Sequence, residues 1–258
     1  MHAAVTTSWL PRAGSDPQQY EDAFYPTVSG TRHAHRLRLA VADGASESML
    51  AGRWANLLVR TWCRAGGRRM PAVIAAAAAA WEDELAVYLD GRRRSHRPVQ
   101  WFEEPGLQRG AFSTLLGLAL ASTTPSTGSW QAVSLGDSCL FHVREGALLT
   151  AFPIETAGRF DSHPKLVPSR VTDHPAVLAG VEEAWGEWRT GDTFFLTTDA
   201  VAAWFLQSSG SGGAPWEALA GFDGSEDDGF ASWAAAQRTA GALRNDDATV
   251  VRVELRQV

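Results

Sequence analysis

Cysteine is nearly absent: only Cys63 and Cys139 occur in 258 residues, in unrelated local contexts and without metal-type spacing. That excludes a disulfide framework and a Cys-rich zinc site, and both read as small buried hydrophobes. A basic excess is absent too, since 29 Asp and Glu outweigh 23 Lys and Arg for a net charge of -6. No nucleic-acid partner is expected, because that needs a basic face; Arg92-Arg93-Arg94 is the nearest approach to one. No apolar run nears the roughly 20 residues that span a bilayer, so no membrane partner is expected either. The first residues lack the basic-then-apolar order of a secretory signal. A cytoplasmic protein is the expectation. What is present, 45% hydrophobic and 20% charged residues, belongs to an ordinary globular chain of one large domain or two small ones. Most of the eleven Trp are expected in the core or in grooves.

Strand-like and helix-like stretches alternate in blocks, without a repeat of fixed period. Residues 36–42 alternate at period two before turning apolar, the pattern of a strand entering a core, and Asp43-Gly44 ends it. Ser46 reads as an N-cap of a helix carrying Met49, Leu50, Trp54, Leu57, Leu58 and Thr61, stopped by Gly66-Gly67. Pro71 opens another helix, with Val73, Ile74, Ala77, Trp81 and Leu85 on one face. Residues 111–121 and 130–136 flank a hairpin loop, and Arg144-Glu145-Gly146 joins a second strand pair, 140–143 and 147–151. Residues 152–180, rich in Pro and His, are expected to form a flap-like surface excursion bordering a site. Residues 193–198 read as a strand, 200–206 and 228–242 as helices, and 248–255 as a last strand; 208–213 read as a loop.

Acids fall at the ends of these elements. Asp43 and Asp199 each end an apolar strand, Asp137 follows one, Asp246 precedes one, and Asp22 lies in Tyr20-Glu21-Asp22-Ala23-Phe24. If the strands are neighbours, the carboxylates meet and repel. A hard divalent cation relieves that repulsion, and all-oxygen ligation selects magnesium or manganese over zinc. The plainer reading is that each Asp forms a turn or caps a helix.

The ordered set Glu21-Asp22, Asp43-Gly44, Ser113-Thr114, Gly136-Asp137-Ser138, Thr198-Asp199 and Asp246-Asp247-Ala248-Thr249 resembles the motif series of the PPM-type metal-dependent serine/threonine phosphatases, the protein phosphatase 2C-like family, in a divergent bacterial form. The resemblance runs from Glu21 to Val253 and treats residues 1–258 as one phosphatase-like domain. It implies an α+β fold, a four-layer α-β-β-α sandwich of two antiparallel sheets flanked by helices. It also implies hydrolysis of phosphoserine or phosphothreonine on a phosphorylated protein substrate, through a water bridging two Mn2+ or Mg2+ ions. By position, Asp43 resembles the carboxylate that bridges both metals, the Gly44 carbonyl a ligand of one, Asp199 and Asp246 ligands of the other, and Asp22 a ligand acting partly through water. Asp137 matches a position linked to a third, weaker metal.

The chain departs from that family at several places. Asp43-Gly44 runs into Ala45-Ser46 where relatives have Gly-Gly, Ala200 replaces a Gly, and Ala203 replaces an acid. Pro17 and Gln18 stand where relatives place a phosphate-binding Arg, leaving Arg12 as the nearest upstream candidate. Three alternatives therefore stay open: an inactive relative that binds a phosphoprotein without turnover, a sandwich whose acids only cap elements, and a thiol phosphatase built on the Cys63-x5-Arg69 spacing. The last lacks the strand-loop-helix context that aims amide N–H groups at a phosphate. His33, His35, His142, His163 and His174 show no ligand-pair spacing, and the acidic run 225–228 reads as a solvated helix start.

Overall fold

The computed structural model describes residues 1–67, 69–160, 164–170, 174–225 and 229–257. Its strands are β1 (His2–Leu10), β2 (Ala23–Tyr25), β3 (Gly30–His33), β4 (Arg36–Ala42), β5 (Phe112–Ser113), β6 (Leu115–Ser122), β7 (Thr127–Leu135), β8 (Cys139–Arg144), β9 (Ala147–Phe152), β10 (Val167–Pro168), β11 (Glu182–Arg189), β12 (Thr193–Thr197) and β13 (Ala248–Arg256). Its helices are α1 (Ala51–Arg64), α2 (Met70–Arg94), α3 (Glu104–Arg109), α4 (His174–Leu178), α5 (Asp199–Gly210), α6 (Pro215–Ala220) and α7 (Phe230–Thr239).

Period-two sequences build two antiparallel sheets, of order β3-β1-β13-β12-β8-β9 and β11-β7-β6-β4-β2. Leu116, Leu118 and Leu120 of β6 point between the sheets, where they meet Val251, Val253 and Leu255 of β13. The alternate residues face outward: Leu115 joins α1 and α2, while Ala248 and Val250 join α5 to α7. Two-faced burial of this kind demands a helix layer on each side. The result is the four-layer α-β-β-α sandwich that the family resemblance implied. Trp54 and Trp81, in edge-to-face contact at 5.6 Å, seal the two helices to the five-stranded sheet. No helix among the described residues is long and apolar enough to cross a membrane.

Several local expectations are corrected. Ser46 does not cap α1, which starts five residues later behind Leu50 in the left-handed region (φ 66). Ser48 instead braces the intervening turn, donating to the Ala45 carbonyl and accepting from the Phe112 amide. The 208–213 loop loses Ser208 to Gly210 to α5. The excursion after Phe152 is not wholly at the surface, because Val167 and Ser169 are buried. Val167 pairs with Ser113, and its carbonyl accepts from the Trp54 indole at 2.7 Å. Residues 226–228 of the acidic run, and His163, lie outside the described residues.

Candidate metal centre

Sheet register brings the aspartates together. Ala23 pairs with Ala42, so one residue further on Asp22 stands beside Asp43 at the end of the five-stranded sheet. In the other sheet Thr197 pairs with both Cys139 and Val250, which sets Asp199 level with Asp137 on one side and Ala248 on the other. Asp246 lies two residues before that strand begins. Antiparallel pairing thus collects residues far apart in sequence at one end of the sandwich.

Hydroxyls lock this end. Thr198 and Thr249 both donate to Asp22 Oδ2, at 2.9 and 2.5 Å. Thr249 Oγ1, having given its one proton, accepts from the Tyr20 hydroxyl at 2.5 Å. Thr114 Oγ1 accepts from the Asp43 amide and meets Ser138 Oγ, while Ser113 Oγ donates to the Asp43 carbonyl. Asp247 ties the loops, accepting from the Arg12 and Glu21 amides at 2.9 and 2.7 Å. That strapping role went unrecognised in the sequence, where Asp247 is only a second acid in a pair. Gly44 is needed for a close approach: a Cβ there would sit 2.6 Å from the Glu21 carbonyl oxygen and 2.8 Å from the Ala51 carbonyl carbon.

The electrostatics record the convergence. Burial, then the charges of Asp22, Asp199, Asp137 and Asp246, push the Asp43 carboxyl far above the ordinary carboxylate range. Burial raises Asp22 likewise, with Asp247 and Asp199 adding to it against the threonine hydroxyls. Asp137 is pushed up to about 7 by burial and Asp199, and its Oδ1 is shut away from solvent with no partner. Asp199 is raised by burial and relieved by Arg244, whose Nη2 donates to its Oδ2 at 2.7 Å. Asp246 Oδ1 accepts from the next amide, that of Asp247.

Among the described residues no three carboxylate, imidazole or thiol side chains are already arranged to hold a metal ion; Arg244 engages Asp199, and two threonines engage Asp22. The donor chemistry still fits a hard divalent cation. All donors are oxygens, the charge is uncompensated around Asp43, and the buried Asp137 oxygen lacks a partner. His33 and His142 stand apart from this: His33 is exposed and stacks on His2, and His142 is buried against Asp192. Burial pushes the Cys63 thiol up to about 12. Cys63 lies inside α1 and not in a strand-to-helix loop, so it lacks the amide cradle that a thiol phosphatase needs.

Beside the aspartates opens a cavity of about 620 Å³ lined by Glu21, Ser46 and Asn56 together with Arg12, Arg53 and Arg60. Proximity in sequence to Glu21 pointed to Arg12 alone. The other two come from α1, whose packing against the Glu21 loop only the tertiary structure supplies.

No protein-family model matches the chain, and no curated protein matches its sequence. Solved structures do. The Mycobacterium tuberculosis serine/threonine phosphatase PstP/Ppp shares 20% identity over 99% of this chain and 100% of that one, with a TM-score of 0.57. The PstP catalytic domain in complex with two manganese ions matches at 19% identity, 98% and 99% coverage and TM-score 0.53. PppA, described as a regulatory component of T6SS in Pseudomonas aeruginosa, matches at 20%, 98% and 98%, and 0.55. The chain has the fold of the PPM-type serine/threonine phosphatases.

Proposed function

We propose that the protein is a metal-dependent phosphatase acting on phosphoserine or phosphothreonine of a protein substrate. The observation that carries this is the meeting of five aspartates from separate segments, among which the carboxyls of Asp22, Asp43, Asp137 and Asp199 are pushed up by burial and by neighbouring acids. The manganese-bound PstP relative of the same fold supports it. Asp43, Asp22, Asp137, Asp199, Asp246 and the Gly44 carbonyl would hold two Mn2+ or Mg2+ ions, with Asp137 suited to a third, weaker one. Such ions supply a hydroxide from water near neutral pH and neutralise phosphoryl charge. A cytoplasmic location belongs to the same proposal.

The chain's own residues do the rest. Thr198 and Thr249 fix the Asp22 carboxylate by donating to one of its oxygens and leaving the other free. Asp247 holds the Arg12 and Glu21 backbone in place. Arg12 and Arg60 give the adjoining cavity positive charge for a phosphorylated segment, in place of the arginine missing at Pro17, while Arg53 faces Glu84 at 4.0 Å. Hydrolysis of p-nitrophenyl phosphate that requires manganese is the direct test. Arg12→Ala is expected to raise KM for a phosphopeptide about tenfold with kcat little changed, the mark of lost uniform binding. A lowered kcat at constant KM would remove Arg12 from substrate binding.

The second reading, a domain that binds a phosphoprotein without turnover, is favoured by the Arg244–Asp199 ion pair, which places a guanidinium where a cation would bind. Calorimetric titration with manganese separates it from an enzyme when paired with the hydrolysis assay. Arg244→Gln frees Asp199 and is expected to tighten manganese binding by up to about fivefold, the order of one half-exposed ion-pair competitor removed. An unchanged titration would show that Asp199 is not a ligand.

A further inference from the structure

A second cavity, of about 870 Å³, lies on the outer face of the five-stranded sheet where α1 and α2 stop covering it, next to the Gly66-Gly67 turn. Helices cover the end nearest the aspartates through Ala40, Ala42 and Leu115. The remaining floor is made of small residues. One register row crosses it as Arg38, Ala119, Gln131, Trp185, and the next as Arg36, Ala121, Ser129, Glu187. The four strands place Arg38 about 14 Å from Trp185 at the usual spacing, so the basic edge and the aromatic, acidic edge do not neutralise each other.

Among the described residues Arg38 has no counter-ion. Its guanidinium lies 3.9 Å over the Trp62 ring, and Nε and Nη2 are closed off from solvent with no acceptor. Among the described residues no guanidinium nitrogen of Arg38 makes a hydrogen bond or ion pair. Partial burial pushes its pKa down, because one edge of the guanidinium has lost its water. This arrangement is built into the sheet: a Cβ at Gly117 would lie 2.2 Å from the Trp62 ring, so only glycine admits the ring that supports Arg38. Across the floor, Trp185 is 76% exposed. A buried guanidinium edge without an acceptor is unfavourable unless an anion answers it, and a flat apolar floor ending in an indole suits an aromatic body.

We propose that this cavity is a binding site, separate from the aspartate centre, for a small molecule with an anionic head at Arg38 and a flat aromatic body over Ala119 and Ala121 toward Trp185. The test uses the full chain and 8-anilinonaphthalene-1-sulfonate as probe, read by fluorescence. Saturable binding is expected, with uncharged N-phenyl-1-naphthylamine binding at least tenfold more weakly. Arg38→Met, and Ala119→Phe, which fills the floor and keeps the charge, each weaken the probe at least tenfold while circular dichroism stays at wild type; Asp43→Asn leaves it unchanged. Equal binding of the uncharged analogue, or wild-type affinity in a folded Ala119→Phe protein, overturns the proposal. Should Arg38→Met not fold, the analogue pair and Ala119→Phe still decide it.

Discussion

Asp43→Asn is expected to lower manganese-dependent hydrolysis of p-nitrophenyl phosphate by about 10³-fold or more, equivalent to about 4 kcal/mol of lost transition-state stabilisation. Its circular dichroism spectrum should match the wild type, since the Asp43 backbone bonds to Thr114 and Ser113 do not involve the carboxylate. A second readout separates the electrostatic account from simple damage. The native carboxyl has a raised pKa, so the folded chain holds more protons than the unfolded one and stability falls as pH rises. Removing the charge should therefore make the metal-free variant more stable than the wild type at pH 7 and above. That advantage should fade as the pH drops below the raised carboxyl pKa toward the ordinary value near 4, where the wild-type group is also neutral. Added manganese should raise the wild-type Tm and leave the variant's nearly unmoved. An active variant, or one less stable than the wild type at every pH, would refute the charge cluster as the seat of function.

Asp192→Ala is expected to destabilise the fold by about 3–5 kcal/mol, the range for removing one member of a buried charged network. Asp192 is 1% exposed. It accepts from Arg144 Nε and Nη2 at 2.7 Å each, from the Arg189 amide at 2.9 Å and from His142 Nε2 at 2.9 Å. Those donors hold its carboxyl below the usual range despite burial, so its contribution is complete above about pH 4 and is lost as pH falls through the lowered value. His142, pushed down by burial, adds a cost of its own: below about pH 6.5 the unfolded chain takes up a proton that the folded one resists. Urea unfolding at pH 7.5 and 5.5 measures the His142 cost, and a further series at about pH 3 measures the loss of the Asp192 contribution. A loss under 1 kcal/mol in Asp192→Ala would mean the network is screened by water.

The sheets and helices with strong periodicity were legible. β4, the α2 core face, the β8–β9 hairpin and β13 follow from alternation and helical spacing because each buries one clean apolar face. β1 and β11 were missed for a shared reason: alanine, threonine and glutamate alternate weakly, and Trp185 faces outward. Valine and threonine at Val5, Thr6 and Thr7 were the available signal in β1. Ser46 failed as a cap because the chain first turns through Ser48 to meet Phe112, a contact no local pattern contains.

The identity and order of the acids were determined by sequence alone, together with the oxygen-only chemistry that excludes a thiolate metal site. Tertiary structure alone decided which oxygens are engaged. Arg244 reaches Asp199 across 45 residues and Thr249 reaches Asp22 across 227, and the orphaned Asp137 oxygen and the unanswered Arg38 guanidinium exist only once packing has excluded water. Spacing along a chain encodes which groups are available; desolvation and register, which are properties of the packed sheets, set what each group must bind.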